Sequence, residues 1–141
     1  MGKVIAKIKL SNYLDMGRAK AGDIKPEEVR SITTEGLVDT GANYLCLPEE
    51  IVEELGLEIV KEVTCNYANG QKEKKKIADG VRITFLDHDR DATVMCVVEN
   101  RGTRILIGQI PLEYTDLHVS CAKETLEVNP DSPDMPLVEI F

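Results

Sequence analysis

Leu37-Val38-Asp39-Thr40-Gly41-Ala42 sets a carboxylic acid directly after an apolar run and follows it with a hydroxyl residue, a glycine and a small residue. An apolar strand before Asp39 anchors the loop in the core, so the acid emerges at a fixed place where its surroundings can control it. Gly41 is expected to take a backbone conformation closed to other residues and to let a second chain approach closely. Backbone N–H groups could then hold the carboxylate, and the Thr40 hydroxyl could tie the loop to neighbouring backbone. The string Asp-Thr-Gly is weak by itself, because a strand running into a Thr-Gly turn with a solvated acid has the same residues.

Other arrangements fall short of a site. Asp87-x-Asp89-x-Asp91 begins like a calcium loop, but Ala92 stands where the loop needs glycine and Val98 where it needs glutamate. Asp89-x-Asp91-x-Thr93 matches a phosphotransferase signature whose doubly wound α/β setting is missing, so a solvated hairpin turn is the better reading. His88 and His118 have no metal-ligand spacing, and no cofactor or metal is expected. Cys46, Cys65, Cys96 and Cys121 form no Cys-x-x-Cys pair and read as reduced core thiols. No Ser-His-Asp set, Gly-x-Ser-x-Gly elbow or phosphate-cradling glycine loop is present.

The elements that must position Asp39 are mostly short strands. Residues 4–10, the run through Leu37 and Val38, 58–67, 74–77, 81–86, 92–98 and 105–107 are apolar stretches between turn signals, the pattern of an all-β domain. Asn69-Gly70 marks a hairpin in which both turn positions tolerate positive φ. One helix is expected, at 48–55: Pro48 suits a first turn, Glu49 and Glu50 sit at the positive end of the dipole, and Gly56 stops it. Ile51, Val52 and Leu55 would share its buried face. Residues 11–28 read as a polar surface loop. From Asn129 onward, Pro130, Pro133 and Pro136 predict an extended tail, giving a domain at 1–128 and a tail at 129–141.

At 141 residues the chain supports one domain with one modest core. The net charge of −8 opposes phosphate backbones, and Glu73 interrupts the basic run at 72–76, so nucleic acid is not an expected partner. No apolar stretch is long enough for a bilayer, and residues 1–10 lack the features of a secretory signal; a soluble, cytoplasmic protein without membrane partners is expected.

The segment from Gly36 to Ala42, the Leu55-Gly56-Leu57 helix exit, the Tyr67-Ala-Asn-Gly-Gln71 hairpin and Ile105-Leu-Ile-Gly-Gln-Ile-Pro-Leu-Glu113 occur in the order found in retropepsin-like (clan AA) aspartic peptidases. The resemblance covers most of the chain and is greatest to small prokaryotic members. It implies a closed, all-β acid-protease barrel with one short helix, Asp39 as catalytic acid and Thr40, Gly41 and Ala42 shaping its loop. Asn69, Gly70 and Gln71 would form the flap, and Ile107 and Gly108 would support the loop from beneath. The hairpin departs from the glycine-rich, apolar flaps of viral members in its Lys, Glu and Gln content, and residues 11–28 exceed the viral equivalent.

Aspartic-peptidase chemistry needs two carboxylates about 3 Å apart sharing one proton. With one Asp-Thr-Gly and no internal repeat, the second acid must come from a two-fold copy, so the resemblance implies a homodimer acting on peptide or protein substrates. The rival reading is a non-catalytic module that keeps the fold for dimerisation or peptide binding.

Overall fold

In the computed structural model, which describes residues 3–137, β1 (Val4–Asn12) alternates buried Val4, Ala6, Ile8 and Leu10 with outward Ile5, Lys7 and Lys9, as the two-residue period of a strand requires. It pairs antiparallel with β2 (Ser31–Val38) along its whole length, and its second half also pairs with β5 (Lys72–Phe85), Ile8 opposite Phe85. β5 is flanked by β4 (Glu58–Asn66) and β6 (Arg90–Glu99), both antiparallel. β3 (Leu45–Pro48) runs parallel to β6 and antiparallel to β7 (Leu106–Ile107), and β7 runs parallel to β2. Followed from β1 through β2, β7, β3, β6 and β5, the pairings lead back to β1. The architecture is mostly β, and the inward side chains, including Ile8, Leu10, Leu45, Leu47, Ile83, Phe85 and Ile107, form one apolar core.

Among the described residues, three short α-helices stand where one was expected. The expected one is α2 (Glu49–Leu55), which buries Val52 and Leu55. It ends on left-handed Gly56 (φ 63°), with the N–H groups of Gly56 and Leu57 returning to the carbonyls of Glu53 and Val52. The other two are α1 (Tyr13–Lys20) and α3 (Gln109–Thr115). The polar stretch 11–28 is therefore not a plain loop: it holds the end of β1, α1 and a 3₁₀ turn at Pro26–Glu28. Hydrophobic periodicity is blind to α1 because its buried residue is a carboxylate, Asp15. Asn12 caps the helix by accepting from the Asp15 N–H at 3.0 Å, and its side-chain amide donates to the Leu55 carbonyl at 2.9 Å. The Asp15 carboxylate accepts from the backbone N–H, Nε and Nη2 of Arg30 at 3.1, 2.8 and 3.0 Å.

The strands expected at 74–77 and 81–86 are one strand, β5, continuous through a bulge between Ala78 and Val81 where Gly80 has φ 78°. β8 (Leu117–Ser120) and β9 (Thr125–Val128) form a separate two-stranded sheet. Among the described residues, no helix is long and apolar enough to cross a membrane.

Residues 129–137 contain no helix or strand, yet they are tied to the domain; 138–141 lie outside the described residues. Asp116 accepts from the Asn129 amide at 3.1 Å, the Leu137 N–H at 3.0 Å and the Ser132 hydroxyl. Buried Arg90 donates to the carbonyls of Thr115, Asp116 and Ser132. The Ser132 hydroxyl, followed by the Leu137 N–H, holds the Asp116 carboxyl down at about 2, and the Arg30 hydrogen bonds lower that of Asp15. Both folded-state values lie below the ordinary carboxylate value, so the stabilisation is complete above it and is lost as pH falls towards the folded values. Thermal melts from pH 5 to pH 2 should show the midpoint falling below about pH 4. Asp116→Asn should lower the midpoint at pH 5 and make its decline with acid shallower.

Candidate active site

Asp39 follows the last residue of β2, and the hydrogen bonding of that strand with β7 continues past it: the Leu37 and Asp39 N–H groups donate to the carbonyls of Ile105 and Ile107, each at 2.9 Å. The acid's backbone is thereby held to β7, whose Ile107 is fully buried, while its own side chain is half-exposed. The Ala42 N–H donates to the Asp39 carbonyl at 3.1 Å and closes a tight turn over 39–42. Within it, the Gly41 N–H donates to Asp39 Oδ1 at 3.0 Å. Thr40 is exposed, and its hydroxyl has no hydrogen-bond partner among the described residues.

Gly41 differs from expectation in its reason for being glycine. Its φ is not in the positive region, so the backbone conformation is open to other residues. What it supplies is room: a Cβ there would stand 3.2 Å from Asp39 Oδ1, crowding the carboxylate its own N–H holds.

Gly108 and the first residues of α3 run against the far side of this loop. Consecutive N–H groups of Gly108, Gln109 and Ile110 donate to the carbonyls of Tyr44, Ala42 and Asn43 at 3.2, 2.9 and 2.8 Å. The Gly108 backbone (φ −87°, ψ −169°) is ordinary extended chain. Space is again the constraint, because a Cβ would lie 2.5 Å from the Tyr44 carbonyl oxygen and 2.7 Å from that of Ala42. Ile107 is fully buried, with its side chain over Gly36 of β2, where a Cβ would meet Ile107 Cδ1 at 2.8 Å.

The hairpin joining β4 to β5 turns at Asn69 and Gly70, but not through the two-residue turn expected. Tyr67 N–H donates to the Gln71 carbonyl, Gly70 N–H donates to the Tyr67 carbonyl, and Gly70 alone has positive φ (83°). This is a three-residue loop, a type I turn followed by a left-handed glycine. Asn69 Oδ1 accepts from the Gln71 N–H at 2.9 Å and stiffens the tip.

Beneath the arm lies a polar group that the sequence analysis did not single out. Within the basic run at 72–76, alternation along β5 turns Lys75 to the same side as buried Ile77. Lys75 Nζ meets Glu99 at 3.2 Å, and the Tyr67 hydroxyl donates to Glu99 at 3.1 Å. Burial and the Glu99 charge push the Tyr67 hydroxyl up to about 12, so it stays a donor.

The cysteines are free thiols, but only Cys96 is buried; Cys46 and Cys65 are half-buried and Cys121 is exposed between β8 and β9. Burial, then the charges of Glu99, Cys65 and Asp39, push the Cys46 thiol up to about 12, and burial does the same to Cys96. Neither can serve as a thiolate near neutrality. Among the described residues no three His, Cys, Asp or Glu side chains are grouped to hold a metal. Asp87 and Asp89 lie in the turn between β5 and β6, and Asp91 pairs with Arg82 at 3.3 Å.

The Asp39 turn presents a carboxylate held by the Gly41 N–H and backed by the closely packed Gly108 segment. A family model described as gag-polyprotein putative aspartyl protease matches residues 28–114, a span that includes the Asp39 turn, the hairpin and Gly108. No curated protein matches the chain.

Proposed function

Because the chain belongs to the gag-polyprotein putative aspartyl protease family, a group of retropepsin-like domains, we propose that it is an aspartic endopeptidase assembled as a two-fold homodimer, with Asp39 of each subunit forming the catalytic pair. The circuit of strand pairings is read as the closed barrel of such a protease, comprising residues 1–128, with 129–141 as a C-terminal extension. The observation that carries the reading is the anchorage of Asp39: its N–H bonds to Ile107, and the segment after it is held by three successive N–H groups beginning at Gly108.

Two carboxylates about 3 Å apart cannot both be charged, so the pair shares a proton. The ionised member takes a proton from a water lying between them, and the hydroxide adds to the scissile carbonyl carbon. The protonated member gives its proton to the carbonyl oxygen. Collapse of the tetrahedral adduct breaks the C–N bond as a proton passes to the leaving amine. Thr40, Gly41 and Ala42 keep the turn compact, Ile107 and Gly108 support it, and the arm tip at Asn69, Gly70 and Gln71 acts as the flap.

The test is cleavage of a denatured protein mixture from pH 4 to pH 7, with mass measured in solution. Expected are a particle of twice 15.6 kDa and an acid-shifted profile set by the coupled pair. A flat pH profile contradicts the mechanism. A dimer without cleavage favours a dimerisation or peptide-binding module.

A further inference from the structure

The inner face of the β4–β5 arm carries chemistry that peptide hydrolysis itself does not require. A cavity of about 230 Å³ opens there, lined by Tyr67, Gln71, Glu73, Lys75, Glu99 and Thr103 among others. The Lys75 side chain is only 9% exposed, and a buried ammonium is costly unless it is paired. Its three donors are matched by Glu73 at 3.3 Å, Glu99 at 3.2 Å and Asn100 Oδ1 at 3.3 Å. The Tyr67 hydroxyl is likewise spent on Glu99. The strong donors are therefore turned into the wall, whereas each carboxylate has about four lone-pair positions and uses only some of them. One lysine against two glutamates leaves the lining with one negative charge.

The strand that leaves the Asp39 turn leads towards the cavity: β3 runs parallel to β6, from Leu45 opposite Cys96 to Pro48 opposite Glu99. Cys46 of β3 stands opposite Val97 of β6, two residues before Glu99 and so on the same face. Its thiol feels both Glu99 and Asp39. A chain laid along this wall past Asp39 would place a side chain near the cavity. An apolar side chain would strip water from the lining without replacing its hydrogen bonds, and an acidic one would face Glu73 and Glu99. A cationic donor satisfies both constraints, and the net charge of −8 would draw basic chains from a distance.

We propose that this cavity is a subsite for a basic side chain, arginine or lysine, of the peptide substrate, and that Glu73 and Glu99 determine the preference. The proposal rests on the peptidase reading. Its test uses the full chain and otherwise identical peptides carrying Arg, Lys, Leu or Glu in turn at each position flanking the scissile bond. Cleavage by the wild type is measured at 0.15 M salt, where long-range attraction is screened, beside binding of the same peptides to Asp39→Asn.

At one position, Arg and Lys should raise kcat/KM and tighten binding roughly tenfold over Leu, and further over Glu. Glu73 is half-exposed, and Glu99 and Asn100 still hold Lys75 when its charge is removed, so Glu73→Gln should keep the wild-type thermal midpoint within a few degrees and reduce the Arg-over-Leu ratio. Equal use of all four side chains, a basic preference spread over every position, or a ratio unmoved in Glu73→Gln overturns the subsite. Absence of any cleavage defeats the peptidase reading alone, because tighter binding of the Arg peptide at one position still supports the subsite and equal binding still overturns it.

Discussion

Asp39→Asn is expected to lower kcat/KM for proteolysis by roughly 10³-fold or more, since it removes the group that would move the proton in the reaction. The fold should not notice. The substituted amide keeps a side-chain oxygen where Oδ1 now accepts the Gly41 N–H, and the backbone bonds to Ile107 and Ala42 are untouched. In the proposed dimer the substitution also removes the negative charge that the two acids share, so the variant should dimerise about as tightly as the wild type. Mixing equal amounts of variant and wild type then separates a shared pair from two independent sites. After subunit exchange, activity should settle at about a quarter of an all-wild-type sample if both acids are required, and at about half if each subunit works alone. Mass and circular dichroism recorded alongside exclude loss of structure as the cause, and retained cleavage by the pure variant would remove Asp39 from the mechanism.

Gly108→Ala should cost about 3 kcal/mol of stability, and proteolysis should fall further than the folded fraction does. The added methyl would meet the backbone of three consecutive residues, 42, 43 and 44, at 2.5–2.7 Å, with no flexible side chain able to yield. The chain must shift, and what shifts is the segment continuous with the Asp39 turn. A displacement near 1 Å at a reacting group can cost about a hundredfold in rate. The thermal midpoint should drop by roughly ten degrees. A variant with wild-type midpoint and activity would show that this contact gives way easily and does not set the position of the loop.

The readability of these features in the sequence followed the range of the forces involved. The Asp39 turn and α2 are local: an apolar run ending in Asp-Thr-Gly, and Pro48, Glu49, Glu50 and Gly56 bracketing a helical stripe. The hairpin was legible in place, though not in type, because Asn-Gly fits both a two-residue turn and the left-handed end of a three-residue one. α1 was hidden since Asn12 and Asp15 hold it through partners at Leu55 and Arg30 rather than through an apolar face. Lys75 carries no local mark of burial, because burial of a lysine depends on Glu73, Glu99 and Asn100, and the last two reach it only through the pairing of β5 with β6. The need for glycine at 108 likewise depends on carbonyls more than sixty positions earlier, which only the family resemblance brought near.

The double partnership of β1 also bears on the order in which the chain can fold. Its hairpin with β2 can form as soon as residue 38 is made, but the second partner, residues 81–85 of β5, and the β7 partner of β2 at 106–107 come much later. During synthesis that hairpin must wait several seconds with both flanks unpaired, and pairings so distant in sequence are slow to find once the chain is free. The nascent N-terminal hairpin is therefore the segment most exposed to mispairing, and Lys7 and Lys9 on its outward face place charge on the surface it presents while it waits.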